Sequence, residues 1–253
     1  MAEPSAQAQT PSSRQVSAGN GVEWWTSAWK LLFNRGATGV WIGMWIIVFI
    51  LFLVLHWILH WIPFVGWAVT HIGWIVVFGG LMLASRKTDQ GTPPAVGDMF
   101  AGFGSALGSL VITAVLLMVA ELVIFGILFV AGAGALFGAL SGTTSVMTIF
   151  GASSALLLLV GLVLLIPVAM ASWLAPALIV LRQQAPVSAL KASLAACWGN
   201  LGALTIYGLL WIGFAIIASI PIGLGWLILA PLTILSTYTA YRDLFEPEQA
   251  TAS

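Results

Sequence analysis

Residues 40–87 read VWIGMWIIVFILFLVLHWILHWIPFVGWAVTHIGWIVVFGGLMLASRK, and no Asp, Glu, Lys or Arg occurs in this stretch before Arg86. An α-helix needs roughly 20 mostly apolar residues to cross the hydrocarbon of a bilayer. The stretch holds two such windows, 39–61 and 64–84, separated by little more than Ile62-Pro63. Proline lacks the N–H that would continue a helix, so the pair reads as a tight transmembrane hairpin. The same search carried outward finds four more windows, 105–130, 152–178, 201–220 and 224–240, the last two folded around Pro221-Ile222-Gly223. These runs are continuously apolar and do not alternate, which argues against a closed β-barrel, the other structure that satisfies its own backbone in lipid. The expected fold class is all-α: an integral membrane bundle of six transmembrane helices in three hairpins, with short interfacial amphipathic helices on the cytoplasmic side.

Composition agrees. Of 253 residues, 60% are hydrophobic and 6% charged, against about 25% charge in an average soluble domain. The mean hydropathy is +1.07. A net charge of zero and a single cysteine speak against a nucleic-acid binder and a disulfide scaffold. Residues 1–20, rich in Ala, Ser, Gln and Pro, are expected to form a disordered cytoplasmic tail, 21–245 a single transmembrane domain, and 246–253 a second tail.

Cytoplasmic segments of membrane proteins collect Lys and Arg, which tests the six windows independently. Arg14, Lys30 and Arg35 precede the first; Arg86 and Lys87 follow the second; Arg182 and Lys191 follow the fourth; Arg242 follows the sixth. These are all the basic residues, and every one falls on the same side. Both termini are therefore predicted to be cytoplasmic.

Each cytoplasmic segment leading into an odd-numbered window carries an amphipathic pattern. Val22, Trp25, Trp29, Leu32 and Phe33 share one helical face; Val96, Met99, Phe100 and Phe103 follow i, i+3, i+4, i+7 spacing; Val187, Leu190, Leu194 and Trp198 follow Pro186. Such helices are expected to lie in the headgroup plane with the bulky face in lipid. The outer turns Ile62-Pro63-Phe64-Val65-Gly66-Trp67 and Ile220-Pro221-Ile222-Gly223-Leu224-Gly225-Trp226 echo one another. Together these features suggest three internal repeats, each an in-plane helix followed by a hairpin. The middle connection, 131–145, carries Gly134, Gly138 and Gly142 and is read as a short interfacial or re-entrant helix. Trp24, Trp25, Trp41, Trp61, Trp67, Trp198 and Trp226 are read as an aromatic belt.

The closing Ser236-Thr237-Tyr238-Thr239-Ala240-Tyr241-Arg242-Asp243-Leu244-Phe245, with Trp173-Leu174-Ala175-Pro176-Ala177-Leu178, Lys191-Ala192-Ser193 and Asn200, resembles an uncharacterised family of six-span proteobacterial inner-membrane proteins. More distantly, the chain is similar to the membrane domain that accompanies some glycerophosphodiester phosphodiesterases. The resemblance implies a six-helix domain in a bacterial plasma membrane and transfers no catalytic residue.

Few residues within the windows can carry chemistry. Glu121 is the one acidic residue inside a window. A charge at the centre of a membrane helix costs about 2.5–3.5 kcal/mol on insertion scales, so Glu121 is a candidate for transport or proton coupling. His56 and His60 stand one turn apart, and reflecting the first helix through its turn brings His71 to a similar height with Glu121 nearby. Such a group would suit a divalent metal or haem, although His56 and His60 alternate with Trp57 and Trp61 as interfacial rings do. Pro167, Pro176 and Pro231 fall inside windows and are candidate helix kinks that open backbone carbonyls to a cavity. Arg242-Asp243 reads as an end anchor and local ion pair. No catalytic motif occurs, so no catalytic residue is assigned and no cofactor is required. The sequence favours a non-enzymatic lipid-binding, scaffolding or membrane-homeostasis protein. A small-solute or ion transporter using Glu121 is the alternative, and a metal- or haem-binding enzyme or electron carrier the third. Membrane lipids are the expected partners, with a second copy or another membrane protein beyond them.

Overall fold

The computed structural model describes residues 13–142 and 154–246, and these form helices and turns without a strand. The expectations for residues 1–12 and 247–253, and for the end of the middle connection, lie outside the described residues. In chain order the helices are α1 (Asn20–Asn34), α2 (Thr38–Leu59), α3 (Pro63–Asp89), a 3-10 helix (Val96–Phe103), α4 (Leu107–Leu140), α5 (Ser154–Arg182), α6 (Pro186–Gly199), α7 (Leu201–Ser219) and α8 (Trp226–Phe245). Short helices thus precede each pair of long ones.

Among the described residues, five helices are long and apolar enough to cross a membrane: Thr38–Leu59, Phe64–Asp89, Leu107–Gly138, Ala155–Arg182 and Leu201–Ser219. The last helix, α8, is the most polar of the long ones and the most enclosed. It packs against α1, α2, α3, α5 and α7, and Ser236, Thr237, Tyr238, Thr239 and Tyr241 are all buried. Hydroxyls are tolerated there because each finds an acceptor: Thr237 and Ser236 donate to the Thr233 carbonyl, and Thr239 to the carbonyls of Ser236 and Trp24.

Charged residues gather at the end of the bundle where α3, α5 and α8 finish. Arg242 donates from one nitrogen to both carboxylate oxygens of Asp89, at 2.7 and 2.8 Å. Tyr238 donates to the same carboxylate. Asp243 turns the other way and accepts from Arg14, Asn20 and Trp24. Arg242 and Asp243 therefore anchor different neighbours and form no pair with each other, because adjacent residues on a helix point apart. Glu246 accepts from Arg86 and Tyr241. Arg14 and Val16, inside the expected tail, are tied down: the Arg14 N–H donates to the Leu244 carbonyl, and the Val16 N–H to Asn200.

The three short helices pack differently from their bulky-face readings. On α1 the buried residues are Gly21, Trp24, Trp25, Ala28, Leu31 and Leu32, while Trp29 is exposed. On α6 they are Ala189, Ala192, Ser193, Ala196 and Cys197, while Val187 and Trp198 are exposed. The segment 96–103 is a 3-10 helix, whose three-residue turn puts Met99 and Gly102 against α3 and leaves Phe100 and Phe103 outside. A Cβ at Gly80 would collide with the Met99 carbonyl, and one at Gly102 with the Val76 carbonyl. Backbone meets backbone where a side chain would not fit. The belt reading fails for Trp24, Trp25 and Trp41, which are core residues whose indole N–H groups donate to Asp243, the Tyr207 carbonyl and Thr88. The middle connection is also revised: residues 131–140 continue α4 rather than forming a separate helix.

Pro167 and Pro176 lie within α5 and Pro231 within α8. Near Pro176 a neighbouring helix bonds the backbone of α5. A regular α-helix would join the Leu174 N–H to the Met170 carbonyl. The fully buried Ser193 hydroxyl of α6 bonds both of these groups, accepting from Leu174 at 3.0 Å and donating to Met170 at 2.7 Å. Ser193→Ala would leave both backbone groups without that partner in an apolar setting. The expected cost is about 1–3 kcal/mol, read as a lowered midpoint of denaturation in detergent; an unchanged midpoint would show that the ladder closes without Ser193.

Candidate functional site

A cavity of about 570 Å³ lies among α3, α4, α5, α7 and α8, with α6 at one edge. His71 and Glu121 line one part of it, and Cys197, Tyr207, Thr233 and Thr237 another. Glu121 stands 14 residues after the first residue of α4, roughly 21 Å along the axis at ~1.5 Å per residue. Thr237 stands only six residues before Asp243 of the charged end. The polar lining thus extends from near that end to a depth well inside the apolar windows.

His71 and Glu121 come from neighbouring helices and face each other, with imidazole Nδ1 3.8 Å from carboxylate Oε2. Their side chains are 20% and 22% exposed, which sets them in the cavity wall. The other ring nitrogen of His71, Nε2, is buried and without a hydrogen-bond partner. An imidazole and a carboxylate so placed can share or pass a proton, and the carboxylate can face a cation.

Aromatic rings form much of the remaining wall, from Trp74, Phe78, Trp173, Tyr207 and Trp211. Tyr207 stacks on Trp25 with centroids 5.0 Å apart and meets Trp173 at 5.2 Å. Its hydroxyl bonds Ser236 at 2.9 Å, and the Trp173 indole donates to Thr237 at 3.2 Å. These bonds fix the rings that bound the cavity. Ile166, Trp74 and Trp211 are each more than a third exposed, so the wall is open between helices toward the lipid-facing surface. Pro176 also lines the cavity; Pro167 and Pro231 do not.

Of the sequence candidates, the fold joins His71 with Glu121 and leaves His56 and His60 apart, both on exposed positions. His60 Nδ1 lies 2.6 Å from the Trp57 carbonyl of its own helix. Among the described residues no three of His, Cys, Asp and Glu stand close enough to hold a metal. The pair offers two donors where a catalytic zinc centre takes three from protein. The roles of Trp173, Tyr207, Cys197 and Thr237 escaped sequence reasoning. Polar residues at 207, 233 and 237 within apolar helices were the available signal.

No protein-family model matches the chain, and no solved structure matches it. The chain is 44% identical over 72 residues to a protein of Burkholderia thailandensis named as a probable inner membrane protein. The match covers 28% of this chain and 26% of that protein, so the chain spans about a quarter of that relative's length.

Cys197 provides a probe of the cavity edge. It lies on α6, outside the five apolar helices, and is buried with its thiol 3.5 Å from the Met170 carbonyl. Burial pushes the thiol up to about 12, against a smaller opposing effect of its hydrogen bond with Ser193. The thiolate is the nucleophile, so a raised value suppresses it at pH 8. Folded protein should react with a maleimide at least ten-fold more slowly than denatured protein; equal rates would contradict this packing.

Proposed function

We propose that this chain is a multi-pass protein of the bacterial inner membrane, with six spans and both termini in the cytoplasm, that binds and moves a small amphipathic cation in exchange for protons. The observation that carries this reading is the His71–Glu121 pair in the wall of an aromatic-lined cavity at membrane depth. An ionisable residue inside a membrane domain is costly unless a ligand, ion path or partner uses it. Aromatic faces attract cations, most strongly where water is excluded. A carboxylate at one end of such a cavity and rings along its sides suit a ligand that is both positive and apolar. Glu121 would bind the cation when ionised and release it when protonated, with His71 holding the proton between the two states.

The sixth span in this reading is α8, whose hydroxyls are satisfied by the helices around it. The charged end is the cytoplasmic one, in keeping with the placement of every basic residue. The lipid-binding reading, which the sequence puts first, gives no role to the Glu121 carboxylate, whereas transport uses it directly.

Tetraphenylphosphonium serves as the probe. In proteoliposomes bearing a pH gradient, the wild type should move it with an opposite proton flux, and Glu121→Gln should reduce the coupled flux at least ten-fold while the protein remains folded. Wild-type flux in that variant, or none above empty vesicles in the wild type, would count against the proposal.

A further inference from the structure

A second cavity, of about 580 Å³, lies on another side of the molecule, between α1, α7 and α8. It shares no lining residue with the first. Its walls come from Trp25 and Trp29 of α1, Phe214 in the far half of α7, Pro221 in the turn after it, and Ile228 of α8. Along α7 the lining runs from Leu210 to Ala218, about 12 Å at ~1.5 Å per residue, and it continues to Pro221 in the following turn, which makes the space a long apolar slot. One charged residue touches it, Lys30.

Lys30 joins none of the ion pairs formed among the described residues. It sits on the exposed side of α1, the helix whose first residue, Asn20, bonds Asp243 of the charged end and whose following residue, Arg35, lies beside Gly91 in the turn after α3. Both ends of α1 are thus held at the level of the charged layer, and Lys30 with the half-exposed Trp29 stands at the mouth of the slot. A free cation above an apolar channel complements a molecule with an anionic head and a hydrocarbon tail.

We infer that this slot is a binding site for one anionic phospholipid, with an acyl chain lying between α7 and α8 and the headgroup phosphate at Lys30. The same arrangement explains why α1 turns Val22 and Trp29 outward, since both line the slot rather than the protein core. The inference stands independently of the His71–Glu121 reading.

Native mass spectrometry of the full chain in detergent, with phosphatidylglycerol and phosphatidylcholine added in equal amounts, tests it. The wild type should retain one phosphatidylglycerol in at least five-fold preference, undiminished by excess glycerol phosphate. Lys30→Ala should bring the two lipids to parity. Ile228→Trp, which fills the slot from a lipid-exposed position, should lose both. Equal retention by the wild type, unchanged preference in Lys30→Ala, displacement by glycerol phosphate, or a second protein chain in place of lipid would overturn the assignment. Lys30→Ala alters an exposed side chain and decides the question even where Ile228→Trp does not fold.

Discussion

The contact between Arg242 and Asp89 joins the most enclosed helix of the bundle to the long hairpin helix α3, and the rest of the charged end is arranged around it. Both side chains are 13% exposed, so neither is free to find water in place of the other. Breaking a buried pair by removing one partner costs about 3–5 kcal/mol, because the remaining charge is stranded. Asp243 and Glu246, one and four residues further on, extend the same layer to α1, α3 and α5. Bracing of this kind is not needed in the apolar half of the molecule, where Phe, Leu, Ile and Trp side chains are exposed.

That division of labour explains the shape of the candidate site. One end of the bundle is closed by ion pairs and hydroxyl bonds, while the helices beyond it carry mostly lipid-facing residues. A cavity opens in between, where Pro176 lines the wall and the Ser193 hydroxyl of α6 bonds the Leu174 N–H and the Met170 carbonyl of α5. The His71–Glu121 pair occupies the part of that cavity furthest from the charged layer. Its cost in a low-dielectric setting is the reason for reading it as functional rather than as packing.

Much of this was legible from the chain. The apolar windows lie within a few residues of the helices at most ends, and sorting eight basic residues by position anticipated a single charged end. Glu121 and His71 were identifiable as residues out of keeping with their surroundings, and counting along their windows put them at comparable depth, whereas the hairpin reflection also grouped His56 and His60 with them, which stand apart. The faces of the short helices were not legible. In water a run of bulky apolar residues marks the buried face, but lipid is as apolar as the protein interior, so small residues mark close helix contacts instead. Hence α6 buries Ala189, Ala192, Ser193 and Ala196 and exposes Trp198. The same ambiguity hid Trp24, Trp25 and Trp41, whose indoles serve a belt or a core equally well until a partner such as Asp243 is placed beside them. The length of α4 was misjudged because its glycines read as a break, whereas the helix continues through Gly134 and Gly138.

The account turns on α8 crossing the membrane with the charged layer on the cytoplasmic side. Single cysteines placed at Thr92 and at Ile222, in a Cys197→Ala background, test this in intact spheroplasts with a membrane-impermeant maleimide. Ile222, 98% exposed in the turn before α8, should label from outside, and Thr92 only after lysis. Labelling of Thr92 in intact cells, or protection of Ile222 until lysis, would contradict the topology on which the proposed site rests.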